Sequence, residues 1–89
     1  MLPRNRPPTH PGEVLLEEFL RPAGMTQLTL AERLGVPVQR VNTLINGKRG
    51  VSAETALLLA QLFDTTPEFW MNLQSAVDLY EARKRLASA

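Results

Sequence analysis

Three residues, Gly35-Val36-Pro37, constrain this chain most, because they leave the apolar-periodic segments on either side no room for a long connection. Upstream, Leu30, Ala31 and Leu34 recur at helical spacing. Thr26 suits the N-cap of a helix over 27–34, and Gly35 suits the left-handed residue past its end. Downstream, the stretch from Val38 to Gly50 reads as a helix of about ten residues followed by a glycine-bounded basic loop. With Val38 at 0° and a step of roughly 100° per residue, Val41, Leu44 and Ile45 fall on one side. Gln39, Thr43 and Asn46 centre on the other, flanked by Arg40 and Asn42. No glycine or carboxylate interrupts that polar face. A helix that only covers a core usually turns lysine and glutamate to solvent, so this face is expected to read something.

The rest of the chain is also helical in pattern. Met1–Pro8, rich in proline with two arginines, reads as a flexible arm, and residues 9–89 as one domain. A first helix opens near His10-Pro11, with Glu13 in its first turn, an apolar stripe of Leu15, Leu16, Phe19 and Leu20, and Pro22 and Gly24 to end it. Ser52 caps a fourth helix that runs through Phe63. Ala53, Ala56, Leu57, Ala60 and Phe63 are its expected core face, and Leu58, Leu59 and Leu62 extend its apolar surface toward burial on two sides. Thr66-Pro67-Glu68 starts a last helix ending near Leu86. There Trp70, Leu73, Val77 and Tyr80 repeat in a 3-4-3 spacing, widened by Phe69 and Ala76. Five helices without a strand make an all-α fold.

Composition excludes several function classes. There is no cysteine, so neither a disulfide framework nor a thiolate metal site is possible. His10 is the single histidine and is expected to be a helix-start residue, so no metal or cofactor is expected. No nucleophile–base pair stands out, and Glu17 and Glu18, adjacent on a helix, point in different directions. An enzyme is not expected. No apolar run approaches the ~20 residues that span a bilayer, and the N-terminus lacks an apolar signal core, which leaves a cytoplasmic protein as the default. Charge is unevenly spread. Between Thr26 and Val51, Arg33, Arg40, Lys48 and Arg49 face Glu32 alone, whereas Glu13, Glu17 and Glu18 outnumber Arg21 in the first helix.

Two short helices joined by a glycine-containing turn of about three or four residues form a helix-turn-helix pattern. These helices resemble those of the phage-repressor-like (Cro/C1, or XRE) family. The longer pattern of His10-Pro11-Gly12-Glu13-Val14-Leu15, Gly47-Lys48-Arg49-Gly50-Val51-Ser52, Thr55-Ala56-Leu57 and Pro67-Glu68-Phe69-Trp70-Met71-Asn72-Leu73-Gln74 is similar to the HigA-type antitoxins. The likeness runs from about Thr9 to Arg83 and implies a five-helix phage-repressor-like domain. It also implies a homodimer that represses its own operon and neutralises a RelE-like, mRNA-cleaving ribonuclease toxin. Two departures stand out: Leu58 where a basic residue is common, and Asp64 where a helix-ending glycine is expected.

The third helix is then expected in the major groove of double-stranded DNA. Gln39 suits paired hydrogen bonds to adenine, Arg40 a guanine or a phosphate, and Thr43 a base edge or a thymine methyl. The resemblance puts Val38 at the reading tip with Gln39, and Asn42 belongs to the same surface. Thr26 and Gln27, at the start of the second helix, suit a phosphate, with Thr26 as a plain structural cap the competing role. Asn46, Lys48 and Arg49 suit backbone contacts. Phe69 and Trp70 are expected in the core. Leu73, Val77 and Tyr80 are expected at a two-fold interface, with Leu58 and Leu62 behind them. Two recognition helices would then lie about 34 Å apart on an inverted-repeat operator. The acidic first helix would suit a basic toxin. Two other readings compete: a stand-alone XRE-family regulator without a toxin, and an interaction module that does not bind DNA.

Overall fold

In a computed structural model the described residues are 7–88; Met1–Arg6, most of the expected arm, lie outside them. Five helices and no strand occur among the described residues. The first, α1, is continuous but changes its hydrogen bonding along the way: α-helical over Pro11–Val14, π-type over Leu15–Leu20 and α-helical again over Arg21–Ala23. The others are α2 (Gln27–Leu34), α3 (Val38–Ile45), α4 (Ala53–Phe63) and α5 (Pro67–Ser88).

Local chemistry accounts for most of the boundaries. At the start of α1 the His10 Nδ1 accepts the Gly12 N–H at 2.9 Å. That bond needs a neutral imidazole, and partial burial lowers the His10 pKa from its ordinary value, against the pull of Asp78 and then Glu13. Gly12 has no room for a side chain, because a Cβ there would overlap the Leu44 carbonyl of α3. Pro22 does not end α1, contrary to the sequence expectation. In the widened turn before it the Arg21 N–H reaches back to the Leu16 carbonyl, which makes room for a ring that would clash in a regular α-helix. Gly24, at φ 63°, ends the helix. Thr26, Ser52 and Thr66 cap α2, α4 and α5, their hydroxyls accepting the N–H groups of Thr29, Thr55 and Phe69. Asp64 takes the left-handed conformation at φ 56°, a position glycine would occupy with less strain.

The core joins all five helices through Leu15 and Leu20 of α1, Leu30 and Ala31 of α2, Val41 and Leu44 of α3, Ala56, Leu59 and Ala60 of α4, and Trp70 of α5, with Val51 between α3 and α4. Trp70 is fully buried beside Phe19 and Phe69, and its Nε1–H donates to Thr65 Oγ1 at 2.8 Å. Phe19 also stacks against Phe63, with ring centroids 5.0 Å apart.

Two faces differ from expectation. On α4, Leu57 is 59% exposed and Ala53 is exposed, while Leu59 is fully buried. The helix is apolar nearly all round, so its own pattern cannot set its rotation; the fit against α2 and α5 does. On α5, Phe69 and Ala76 turn partly outward, and Gln74 occupies the core-facing position one turn beyond Trp70.

Candidate nucleic-acid interface

The two short helices α2 and α3 pack on each other and on the core. Gly35, at φ 71°, turns the chain between them, and the Val36 N–H closes back onto the Ala31 carbonyl at 3.1 Å. The α3 N-terminus follows Pro37 and has no side-chain cap. Its free end is therefore open, with Val38 43% exposed and Gln39 exposed beside it.

The expected site residues divide by what their polar atoms already do. Gln39 makes no side-chain hydrogen bond to the described residues that would occupy its amide. Thr43 donates its hydroxyl to the backbone carbonyls of Gln39 and Arg40, at 3.0 and 3.1 Å. Its one hydroxyl hydrogen is thereby engaged, so it offers an outside partner a lone pair and a methyl group. Asn42 bridges the two helices: its amide donates to Gln27 Oε1, and its carbonyl accepts from Asn46 Nδ2, each at 3.2 Å. Gln27, Asn42 and Asn46 thus form one amide chain from α2 across α3. Thr26 caps α2 and is also within 3.0 Å of the Thr29 hydroxyl, so the structural role holds for it.

Beyond α3 the basic loop is set by Gly47, at φ 74°, and by the Lys48 N–H bonding the Thr43 carbonyl at 2.9 Å. Lys48 and Arg49 are exposed. An open hollow of about 280 Å³ is lined by Pro37, Gln39, Arg40, Thr43 and Arg49, so the loop's Arg49 and the polar face of α3 border one space. Sequence spacing alone could not have placed Arg49 there.

Two residues escaped the sequence reading. Glu54, in the first turn of α4, lies 3.7 Å from the Arg40 guanidinium, at the edge of the otherwise basic face. Its position in the next helix hid it from a charge count along α2 and α3. The other is Gln74, whose side chain reaches the base of the basic loop. The motif around it was visible, but its contact spans 23 positions.

The expected two-fold residues are all half-buried in the single chain. Leu62 and Leu73 pack against the core, and Leu58 borders a small, partly open apolar hollow together with Leu15, Leu30 and Leu44. The apolar surface that Leu58 adds to α4 therefore meets other helices of the same chain. Glu13, Glu17 and Glu18 line a separate hollow, with Glu17 paired to Arg21 at 3.3 Å. Among the described residues no helix is long and apolar enough to cross a membrane.

Residues 16–70 match the helix-turn-helix family HTH_3. The antitoxin HigA-1 of Vibrio cholerae serotype O1 is 49% identical over 81 residues, covering 90% of this chain and 75% of that protein. The uncharacterized HTH-type transcriptional regulator YbaQ of Escherichia coli strain K12 is 47% identical over 81 residues, covering 91% of this chain and 72% of the relative. Among solved structures, the Pseudomonas aeruginosa antitoxin HigA with the higBA promoter superposes with a TM-score of 0.87 at 41% identity, covering 91% of this chain and 88% of that one.

Proposed function

The chain belongs to the HTH_3 helix-turn-helix family, and from that premise we propose that it is a sequence-specific DNA-binding repressor. In this reading it is the antitoxin of a HigBA-type module, which represses its own operon and neutralises an mRNA-cleaving toxin. The observation that carries the DNA reading is the open tip of α3, where Gln39, Arg40 and Thr43, which carry an amide, a guanidinium and a methyl, border one hollow with Arg49. Those groups match what the major groove presents: a bidentate amide for adenine, a fork for guanine or phosphate, and a methyl for thymine. The HigA structure with its promoter is the parallel for such use of this fold.

Gln27, Asn42 and Asn46 steady the register of α2 on α3, and Lys48 and Arg49 neutralise phosphates without reading sequence. A homodimer supplies the second recognition helix, with Leu58, Leu62, Leu73, Val77 and Tyr80 at or near the contact. Its operator is an inverted repeat with half-sites about 34 Å apart. The site of action is the cytoplasm. The toxin partner, a RelE-like ribonuclease, rests on the likeness to HigA-1.

The test is binding to the DNA upstream of its own reading frame, compared with random duplex. A Gln39→Ala, Arg40→Ala, Thr43→Ala variant loses that discrimination; undiminished binding by the variant would refute the assignment. A regulator acting without a toxin is the second reading, supported by the likeness to YbaQ. Co-expression with the adjacent reading frame separates the two, since a small basic protein that co-purifies supports the antitoxin.

A further inference from the structure

Gln74 is 9% exposed and polar, in a helix position that a leucine or methionine would fill without a desolvation cost. Both ends of its amide are used. Its Oε1 accepts the buried Val51 N–H at 2.8 Å, and its Nε2 donates to Asp78 Oδ1 at 2.9 Å. A Cβ built on Gly50 would lie 2.9 Å from the same carboxamide, so glycine is what allows the loop to come this close. Arg49 precedes Gly50 and borders the hollow at the tip of α3. The first half of the loop is held by the end of α3 through the Gly47 and Lys48 N–H groups. The second half ends on the core side chain of Val51, and Gln74 is the polar hold on its backbone, from the last helix of the chain.

We infer that Gln74 is a positioning residue of the DNA interface: by clamping Val51 and seating Gly50, it fixes Arg49 against the phosphate backbone, and Asp78 fixes Gln74. This rests on the DNA-binding reading above. It assigns a role to the last residue of the Pro67–Gln74 motif and makes the phosphate grip depend on α5, the helix that also carries Leu73, Val77 and Tyr80. The competing role is only to satisfy a buried N–H. The two differ in what they predict for salt dependence, because a freed loop loses phosphate contacts whereas a merely less stable domain does not.

The experiment measures affinity for the upstream DNA and for random duplex across a salt series, at a temperature where circular dichroism reports each protein folded. Gln74→Met keeps the side chain's size and removes both bonds. Its slope of log affinity against log salt is expected to be shallower by about 1 per chain, one lost phosphate contact. The ratio of operator to random affinity stays within about threefold of the wild type, because α3 still reads the bases. The double variant Gln74→Glu, Asp78→Asn reverses donor and acceptor between the two side chains and keeps an acceptor for Val51, so it restores the wild-type slope. If Gln74→Met does not fold, Asp78→Ala, a change at an exposed residue, is read in its place and reduces the slope in the same direction. A folded Gln74→Met, or Asp78→Ala in its stead, with the wild-type slope overturns the inference. So does a double variant that folds but keeps the reduced slope. A wild-type chain that binds no DNA at any salt concentration overturns the DNA reading itself.

Discussion

Helices α3 and α5 each carry a glutamine, Gln39 and Gln74, and the two differ in whether the amide is satisfied within the chain. On α3, Gln39 is exposed at an uncapped helix tip. On α5, Gln74 is buried and bonded at both ends of its amide. An open amide is available to an outside partner, and a satisfied one fixes the parts of the fold it joins. For these two glutamines, an available amide and a structural one are told apart by whether their hydrogen-bonding groups are already engaged. Polar composition alone does not separate them.

That contrast can be broken by mutation, most forcefully at Trp70. Trp70→Ala removes a fully buried indole and its hydrogen bond to Thr65 and is expected to cost about 3–5 kcal/mol, a large fraction of the stability of a domain this size. Urea denaturation measures it, and a loss below about 1 kcal/mol would mean that α5 is not the scaffold described. A matched pair on α4 sharpens the same point. Leu59→Ala should cost about 2–5 kcal/mol, and Leu57→Ala should stay within about 0.5 kcal/mol in the dilute single chain. Equal losses would mean that α4 is rotated differently.

On the reading side, Gln39→Ala is expected to leave the melting temperature almost unchanged and to weaken operator binding by about 1–3 kcal/mol at the position it reads. Fluorescence anisotropy against operators altered one base pair at a time would locate that position. A Gln39→Ala protein that melts early but binds normally would reverse the roles assigned to the two helices. A modest gain is expected at the end of α4. Asp64→Gly relieves a left-handed residue at φ 56°. It should stabilise by about 1 kcal/mol, raising the melting temperature by ~4–8 °C. An unchanged melting temperature would mean that the aspartate side chain compensates locally for its backbone strain.

Much of this molecule was legible in residue types and spacing. The caps at Thr26, Ser52 and Thr66, the turns at Gly24, Gly35 and Gly47, and the strained Asp64 depend on neighbours only a few positions away. Short-range signals of that kind are written directly in the chain. The two sides of α3 were legible for a related reason: its apolar and polar residues separate cleanly around the axis, so one rotation buries Val41 and Leu44 and leaves Gln39 outside. Helix α4 has no such contrast. Whether Leu57 or Leu59 faced inward depended on the shapes presented by α2 and α5, which no periodicity within α4 encodes. The widened turn of α1 before Pro22 was a similar case, since it settled a local conflict that a boundary rule resolves by ending the helix.

The sequence by itself therefore determined the helices, their caps and the outward polar face of α3, all of which follow from interactions within one or two turns. Only the tertiary structure decided that Arg49 borders the hollow at the tip of α3, that Glu54 stands beside Arg40, and that Gln74 holds the loop from below. Each of these joins residues from different helices, and their approach is set by how the core between those helices packs.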